Sequence, residues 1–295
     1  MFIFGTIGIF RKYISLPSSF IALERGAVGA FFLLWVTVFQ RRKLSGEEKK
    51  KAQLLSGKTI RKNLFLLVFS GVSMGFNWIL LFEAYNYTSV STATLCYYMA
   101  PVFIIIASPF VLKEKLTKRK VFCVIAALAG MALVSGLFSR GNRDAAGSGS
   151  VRGILYGLAA ALLYCSVVLT NKRMGEIDAY DKTIVQLLSS SAVLLPYVLL
   201  TEDCGSLVIS PLSWVLLAVV GIVHTGMAYS LYFGALKTVD AQTAAIFSYI
   251  DPVVALILSA AILHETMGPP EIAGAVLIIG AALLSERTQH GSDGI

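Results

Sequence analysis

Apolar runs of 16–24 residues recur along the whole chain, bounded by charges, Gly or Pro, and a chain built this way has few ways to fold. In order they cover 1–16, 20–39, 63–83, 90–112, 120–138, 151–170, 183–201, 212–235, 241–263 and 271–286. Crossing the hydrocarbon takes about 20 apolar residues in a helix, whose backbone groups bond within the segment. Composition agrees: 56% of the 295 residues are apolar and 14% are charged, against about 45–50% and about 25% in soluble domains. The expectation is an all-α integral membrane protein of ten transmembrane helices with no large aqueous domain. The first run is short, about ten apolar residues before Arg11, so helix 1 either starts upstream or is incomplete at Met1.

Two polar segments interrupt the pattern, Gln40–Asn63 and Ser139–Arg152. The second carries a Gly-Ser run, reads as a flexible linker, and divides a repeat. Offsetting the chain by 151 residues aligns Phe82 with Phe233, Ala84 with Ala235, Thr92 with Thr243, Tyr98 with Tyr249, Pro101 with Pro252, Val102 with Val253 and Glu114 with Glu265. Residues 1–138 and 151–286 are therefore read as two five-helix repeats, with 139–150 as the linker and 287–295 as a tail.

An odd number of helices per repeat inverts the second repeat in the membrane, and charge provides an independent test. The net charge of +8 is concentrated. Nine basic residues from Arg41 to Lys62 follow helix 2, and five from Lys113 to Lys120 follow helix 4. The matching connections, Thr201–Pro211 and His264–Glu271, carry none. Because Lys and Arg mark cytoplasmic loops, equivalent connections face opposite sides. Two inverted five-helix repeats result, with both termini cytoplasmic. Such repeats characterise transporters that expose a midplane site to each side in turn.

The order Gly5-Thr6-x-x-x-Phe10-x-Lys12, Ala84-x-x-Tyr87-Thr88-x-x-x-x-Ala93, Pro101-Val102-Phe103 and Lys113-Glu114-Lys115-Leu116-Thr117, with Ala235, Ala244, Asp251-Pro252-Val253 and Glu265 in the second half, resembles EamA-type members of the drug/metabolite transporter superfamily. The resemblance spans nearly the whole chain. It implies a ten-helix carrier of small metabolites, commonly an exporter, with a central cavity lined chiefly by helices 1, 3, 4, 6, 8 and 9. The family's frequent Trp-Gly in helix 1 is Phe4-Gly5 here.

Ionisable groups inside spans are costly and mark function by default. Asp251 stands about ten residues into helix 9, followed by Pro252, which frees a carbonyl one turn back. A carboxylate there suits a proton or a substrate amine; the structural alternative is an acid satisfied by Ser248 or Tyr249. His224, halfway along helix 8, titrates near neutral pH and pairs in this reading with Asp251 as a proton relay; its alternative role is an interhelical hydrogen bond. Asn77, Trp78, Tyr97, Tyr98, Tyr164, Tyr232 and Tyr249 are the candidate substrate-binding residues, since polar-tipped aromatics stack on an organic solute while hydrogen-bonding it. Ser70, Ser73, Tyr156, Thr94 and Asn171 extend the polar stripes, for which interhelical bonding is the competing reading. Glu24-Arg25 reads as an interfacial anchor or an outer gate, Glu114 and Glu265 as structural or gating groups. Gly71-x-x-x-Gly75, Gly26-x-x-Gly29 and Ala126 to Gly130 read as close-packing faces.

The chain lacks a GxxxxGK[ST] loop, a GxGxxG after a strand and an HExxH, so nucleotide-driven and zinc chemistry lose their usual support. The four cysteines are scattered; no metal or cofactor is expected, and nothing requires nucleic acid. The reading is a non-enzymatic secondary transporter in the cell membrane. It exports a small polar or amphipathic metabolite, amino acid or amine-like, by alternating access with proton coupling. An uncoupled facilitator or exchanger is the alternative, and an integral-membrane enzyme on lipid-linked substrates the remoter one. The partners are the metabolite and the lipid bilayer, with oligomeric state open.

Overall fold

A computed structural model describes residues 1–42, 46–88, 90–134, 148–174, 177–203, 205, 207, 209–263 and 268–286. Among these residues every regular element is helical. In order they are α1 (Phe2–Lys12), α2 (Ser18–Arg42), α3 (Gly46–Tyr87), α4 (Val90–Tyr97), α5 (Ala100–Val111), α6 (Lys118–Val134), α7 (Ser148–Arg173) and α8 (Ala179–Thr201). There follow α9 (Pro211–Val219), a π-helical segment (Val220–Met227), α10 (Ala228–Ala235), α11 (Ala241–Phe247), α12 (Ile250–Leu263) and α13 (Pro269–Glu286). Five described stretches are long and apolar enough to cross a membrane: Ser18–Arg42, Gly57–Tyr87, Val151–Arg173, Ala179–Thr201 and Pro211–Ala235. Shorter apolar helices, Ala100–Val111 and Ile272–Leu284, accompany them.

Two predicted spans are not single helices. The run 90–112 divides into α4 and α5 around Tyr98-Met99, and 241–263 divides into α11 and α12 around Ser248-Tyr249. Pro101 and Pro252 supply the reason, because each lacks an N–H and its ring crowds the carbonyl four residues back. The backbone tightens at both places: Met99 N bonds Cys96 O at 3.1 Å, and Tyr249 N bonds Ile246 O at 3.2 Å. A second correction concerns Gln40–Asn63, expected as a polar connection. Helix α2 runs through Arg42 and α3 begins at Gly46, since Lys, Glu, Gln and Ala are good helix formers. Lys58, Arg61 and Lys62 are exposed on that extension. Most of the expected linker, the tail and Glu265 lie outside the described residues.

The chain forms two compact units. One comprises Met1–Ile9, Leu80–Leu169 and Val239–Ile295; the other comprises Phe10–Ile79 and Thr170–Thr238. In the first, α6 packs along α13 and α5 along α11. Its core joins Ile105, Cys123, Val124, Ala127, Met131, Ile246, Tyr249, Val253, Ile278, Ala281 and Ala282. In the second, α2 packs against α8 and the π segment. Small residues permit close approach: a Cβ on Gly71 of α3 would lie 2.5 Å from the Gln186 carbonyl of α8, and one on Gly29 of α2 would lie 3.0 Å from the Gly221 carbonyl of the π segment. Van der Waals contact between backbones drives helix association in lipid.

The opposite faces remain apolar. Phe31, Leu34, Trp35, Val38 and Phe39 of α2, and Leu195, Leu199 and Leu200 of α8, are exposed. A helix apolar all round suits lipid on one side and protein on the other.

Candidate functional site

The nine predicted site residues divide between the units. Tyr97, Tyr98, Tyr164, Tyr249 and Asp251 fall in the first; Asn77, Trp78, His224 and Tyr232 fall in the second. Each group is described by itself.

In the first unit the tyrosines gather around the two helix breaks. Tyr98 and Tyr249, equivalent in the repeat, stack with centroids 5.9 Å apart and planes at 26°. The Tyr249 hydroxyl donates to the Tyr98 carbonyl at 2.8 Å, where Pro101 at the start of α5 interrupts the helical ladder. Tyr97 meets Tyr98 edge-on at 6.1 Å and Tyr164 at 5.9 Å. Asp251 lies within electrostatic range of Tyr98, and its Oδ1 is buried without a hydrogen-bond partner. The main chain of α1 comes close: a Cβ on Gly5 would lie 2.6 Å from the Asp251 carbonyl.

At one end of this unit, Glu114 caps α11, accepting from Ala241 N at 2.9 Å and Gln242 N at 3.3 Å. Lys120 pairs with Asp240 at 3.1 Å, and Gln242 Nε2 donates to Ser108 Oγ at 2.6 Å.

In the second unit Asn77 and Trp78 are buried. Trp78 is covered by Arg25, whose Cζ lies 4.3 Å from the indole centroid, a cation–π geometry. Tyr229 completes the group, its ring 6.3 Å from Trp78 and its hydroxyl 3.5 Å from Arg25 Nη2, the long limit of a hydrogen bond. Tyr232 packs on Phe233 at 5.6 Å, and Phe233 on Tyr229 at 5.4 Å. Buried His224 occupies the π segment and meets Phe10 edge-on at 4.8 Å. Such π segments concentrate at functional sites. Gly221 and Gly226 of this segment face α2, leaving little side-chain bulk to hold a regular α-turn in place.

Some of the polar stripe serves packing. Gln186 Nε2 donates to Ser70 Oγ at 2.8 Å and Asn171 Oδ1 at 3.1 Å, while Asn171 Nδ2 donates to Ser70 Oγ at 3.2 Å. Lys182 is fully buried, its Nζ donating to the Asn171 carbonyl at 3.2 Å. Arg41 holds Asp181 through both carboxylate oxygens at 2.8 Å. These groups stitch α2, α3, α7 and α8 together. A separate cleft of about 480 Å³ is lined by Phe32, Val36, Tyr180, Met227 and Leu231 among others, and contains none of the predicted site residues.

One member of the second-unit group, Tyr229, is not named by the sequence, and another, Arg25, is named there only as an anchor or a gate. The sequence reads Arg25 with Glu24 as an anchor or an outer gate, and the structure places it in the second turn of α2, against Trp78. Tyr229 went unnamed because a π turn shifts which residues share a face. The usable signal was Gly26-x-x-Gly29, which marks the neighbouring face of α2 as buried.

Helices of this length and apolarity, carrying buried polar and charged groups beside broken backbone, define a multi-pass membrane transporter. The model of the EamA-like transporter family matches residues 1–136 and 151–286, and the chain belongs to that family. It is similar to uncharacterized transporter YxxF of Bacillus subtilis, 29% identical over 91% of this chain and 83% of that one. It is also similar to the riboflavin transporter ImpX of Fusobacterium nucleatum, 24% identical over 66% of this chain and 65% of that one. A crystal structure of a protein 17% identical superposes with a TM-score of 0.83 over 98% of this chain and 94% of the other, which shows a shared fold. The chain is a transporter, not an enzyme.

Proposed function

We propose that this transporter exports a small polar or amphipathic metabolite, amino acid or amine-like, from the cell by alternating access of two inverted five-helix repeats, coupled to a proton on Asp251. One observation carries the reading: a carboxylate with a buried, unpartnered oxygen stands beside a tyrosine cluster where two repeat-equivalent helices are broken. An acid in that setting carries its proton or a cationic solute at lower cost than its bare charge.

The repeat reading draws support from which helices meet. Tyr98 and Tyr249, 151 positions apart, bond to one another, and α2 packs on α8 as α6 does on α13. Each pair joins an element of the first half to its counterpart in the second, the pattern a pseudo-two-fold axis produces. The proposed solute-contacting residues are Tyr97, Tyr98, Tyr164 and Tyr249 in the first unit and Asn77, Trp78 and Tyr232 in the second, with His224 as the second titratable group. The riboflavin named for the Fusobacterium relative is a planar aromatic cargo, in keeping with aromatic walls.

The test is flux of labelled amino acids and amines in proteoliposomes. With Asp251→Asn, accumulation driven by a pH gradient is expected to vanish while exchange of one solute pool for another persists, because only the coupled step needs a titrating group. Unchanged gradient-driven accumulation removes Asp251 from the coupling role, and an absence of flux for every solute removes the transport cycle as drawn.

A further inference from the structure

We infer that Glu24 and Arg25 recognise the zwitterionic head group of an aromatic amino acid whose ring lies against Trp78 and Tyr229. The inference deepens the transport reading and depends on it only for the solute being carried across.

Arginine in the second turn of an apolar helix is costly unless every donor is matched. Here one face of the guanidinium is covered by Trp78 at 4.3 Å, yet its edge is not satisfied. Arg25 Nε is buried with no hydrogen-bond partner, and Nη2 reaches only the Tyr229 hydroxyl at 3.5 Å. Nε–H and Nη2–H lie along the same edge of the planar group and point in parallel, the two-pronged geometry that matches both oxygens of a carboxylate. Tyr229 has its hydroxyl at that edge.

The neighbouring acid is unsatisfied in the same way. Glu24 Oε2 is buried without a hydrogen-bond partner, and its carboxylate lies within electrostatic range of Arg25, so an acceptor for an ammonium group stands near a donor pair for a carboxylate. A third orphan, Ser191 Oγ, is close by: a Cβ on Gly26 would lie 2.8 Å from it and 3.8 Å from the Trp78 ring. Native proteins leave few buried polar atoms unpaired, and those at one place mark a ligand's position better than a packing defect. An interfacial anchor would extend its guanidinium into water; this one is folded under an indole. A solute with both charges gives a hydrogen-bond partner to both orphans at once, whereas a plain amine or a plain acid leaves one of the two without one. Trp78 and Tyr229, at 55° to each other, provide the aromatic contact for its side chain.

Binding of L-phenylalanine, phenethylamine and 3-phenylpropionate to the purified full chain tests this. Wild type is expected to bind L-phenylalanine at least about tenfold more tightly than either half-ligand, the range of one charge-assisted hydrogen bond. Arg25→Gln should weaken L-phenylalanine and 3-phenylpropionate about tenfold or more, leaving phenethylamine within about threefold. Glu24→Gln should do the reverse, weakening L-phenylalanine and phenethylamine but sparing 3-phenylpropionate. Arg25→Lys, which keeps the charge but not the paired edge, provides the same comparison should Arg25→Gln not fold. Absence of L-phenylalanine binding to wild type overturns the inference, as does equal loss, or no loss, of all three probes in both variants. Flux separates the two readings. Movement of other solutes with no L-phenylalanine binding keeps transport and discards this site. L-phenylalanine binding with the variant pattern above but no flux of any solute keeps the site and discards transport.

Discussion

At Gly71 any side chain meets main chain. A Cβ there would stand 2.5 Å from the Gln186 carbonyl oxygen and 2.8 Å from its Cα, so neither a rotamer change nor a shifted side-chain tip relieves it. Gly71→Ala is therefore expected to destabilise the protein by about 1–3 kcal/mol, seen as a lowered midpoint of thermal unfolding in detergent. Gly57, with nothing within 4 Å of its would-be Cβ, is the control. Gly57→Ala should leave the midpoint unchanged or raise it slightly, since Ala exceeds Gly in helix propensity by about 1 kcal/mol. A midpoint for Gly71→Ala equal to that of the control would mean the α3 and α8 backbones do not touch. The Gly71 and Gly75 spacing was legible in the sequence because close packing in lipid selects small residues four apart. The role of Ser70 was not, because a hydroxyl reads alike whether it faces a solute or, as here, Gln186 and Asn171.

Helix ends carry information at the next scale. Helix α11 begins in the apolar part of the chain, and Asp240 at its N-cap position turns its carboxylate to Lys120. Acceptance from the first N–H groups falls to Glu114, 127 positions from Ala241. Glu114→Ala is expected to cost about 1 kcal/mol, and Glu114→Gln less, because an amide oxygen still accepts but adds no charge to the helix dipole. Matched denaturation curves for wild type and Glu114→Ala would refute the cap. The two proline-broken helices belong here as well. Pro252 predicts a freed carbonyl one turn back, and the structure breaks the helix at Ser248-Tyr249; hydropathy predicts each span as one helix because it registers length and not continuity. The polar segment after α2 departs in the opposite direction: its charge predicts a connection, and helix propensity prevails.

For the whole molecule, the distribution of charge predicts sidedness. With Cys96, Cys123, Cys165 and Cys204 replaced, a cysteine at exposed Lys62 and one at exposed Gly205 are expected to react with impermeant thiol reagents from opposite sides of the membrane, Lys62 from the cytoplasm. Labelling of both from one side would break the inverted arrangement, since these connections are equivalent in the repeat. The compact units do not follow the two halves of the chain: each takes helices from both, as with α2 and α8 in one and α6 and α13 in the other. A motif offset of 151 residues relates positions along the chain but does not say which helices pack together.

The sequence by itself determined that the chain is helical and membrane-embedded, that motifs recur 151 positions apart, and which titratable groups stand inside apolar runs. Hydrophobic length, charge placement and repeat spacing are one-dimensional quantities, and the bilayer converts each directly into structure. Only the tertiary structure decided which polar groups spend their bonds on packing, as Ser70, Asn171 and Lys182 do, and which retain buried atoms without partners, as Glu24, Arg25 and Asp251 do. That distinction rests on the satisfaction of each donor and acceptor across neighbouring helices. It is fixed by contacts between residues as far apart as Arg25 and Tyr229, which spacing along one strand of sequence does not encode.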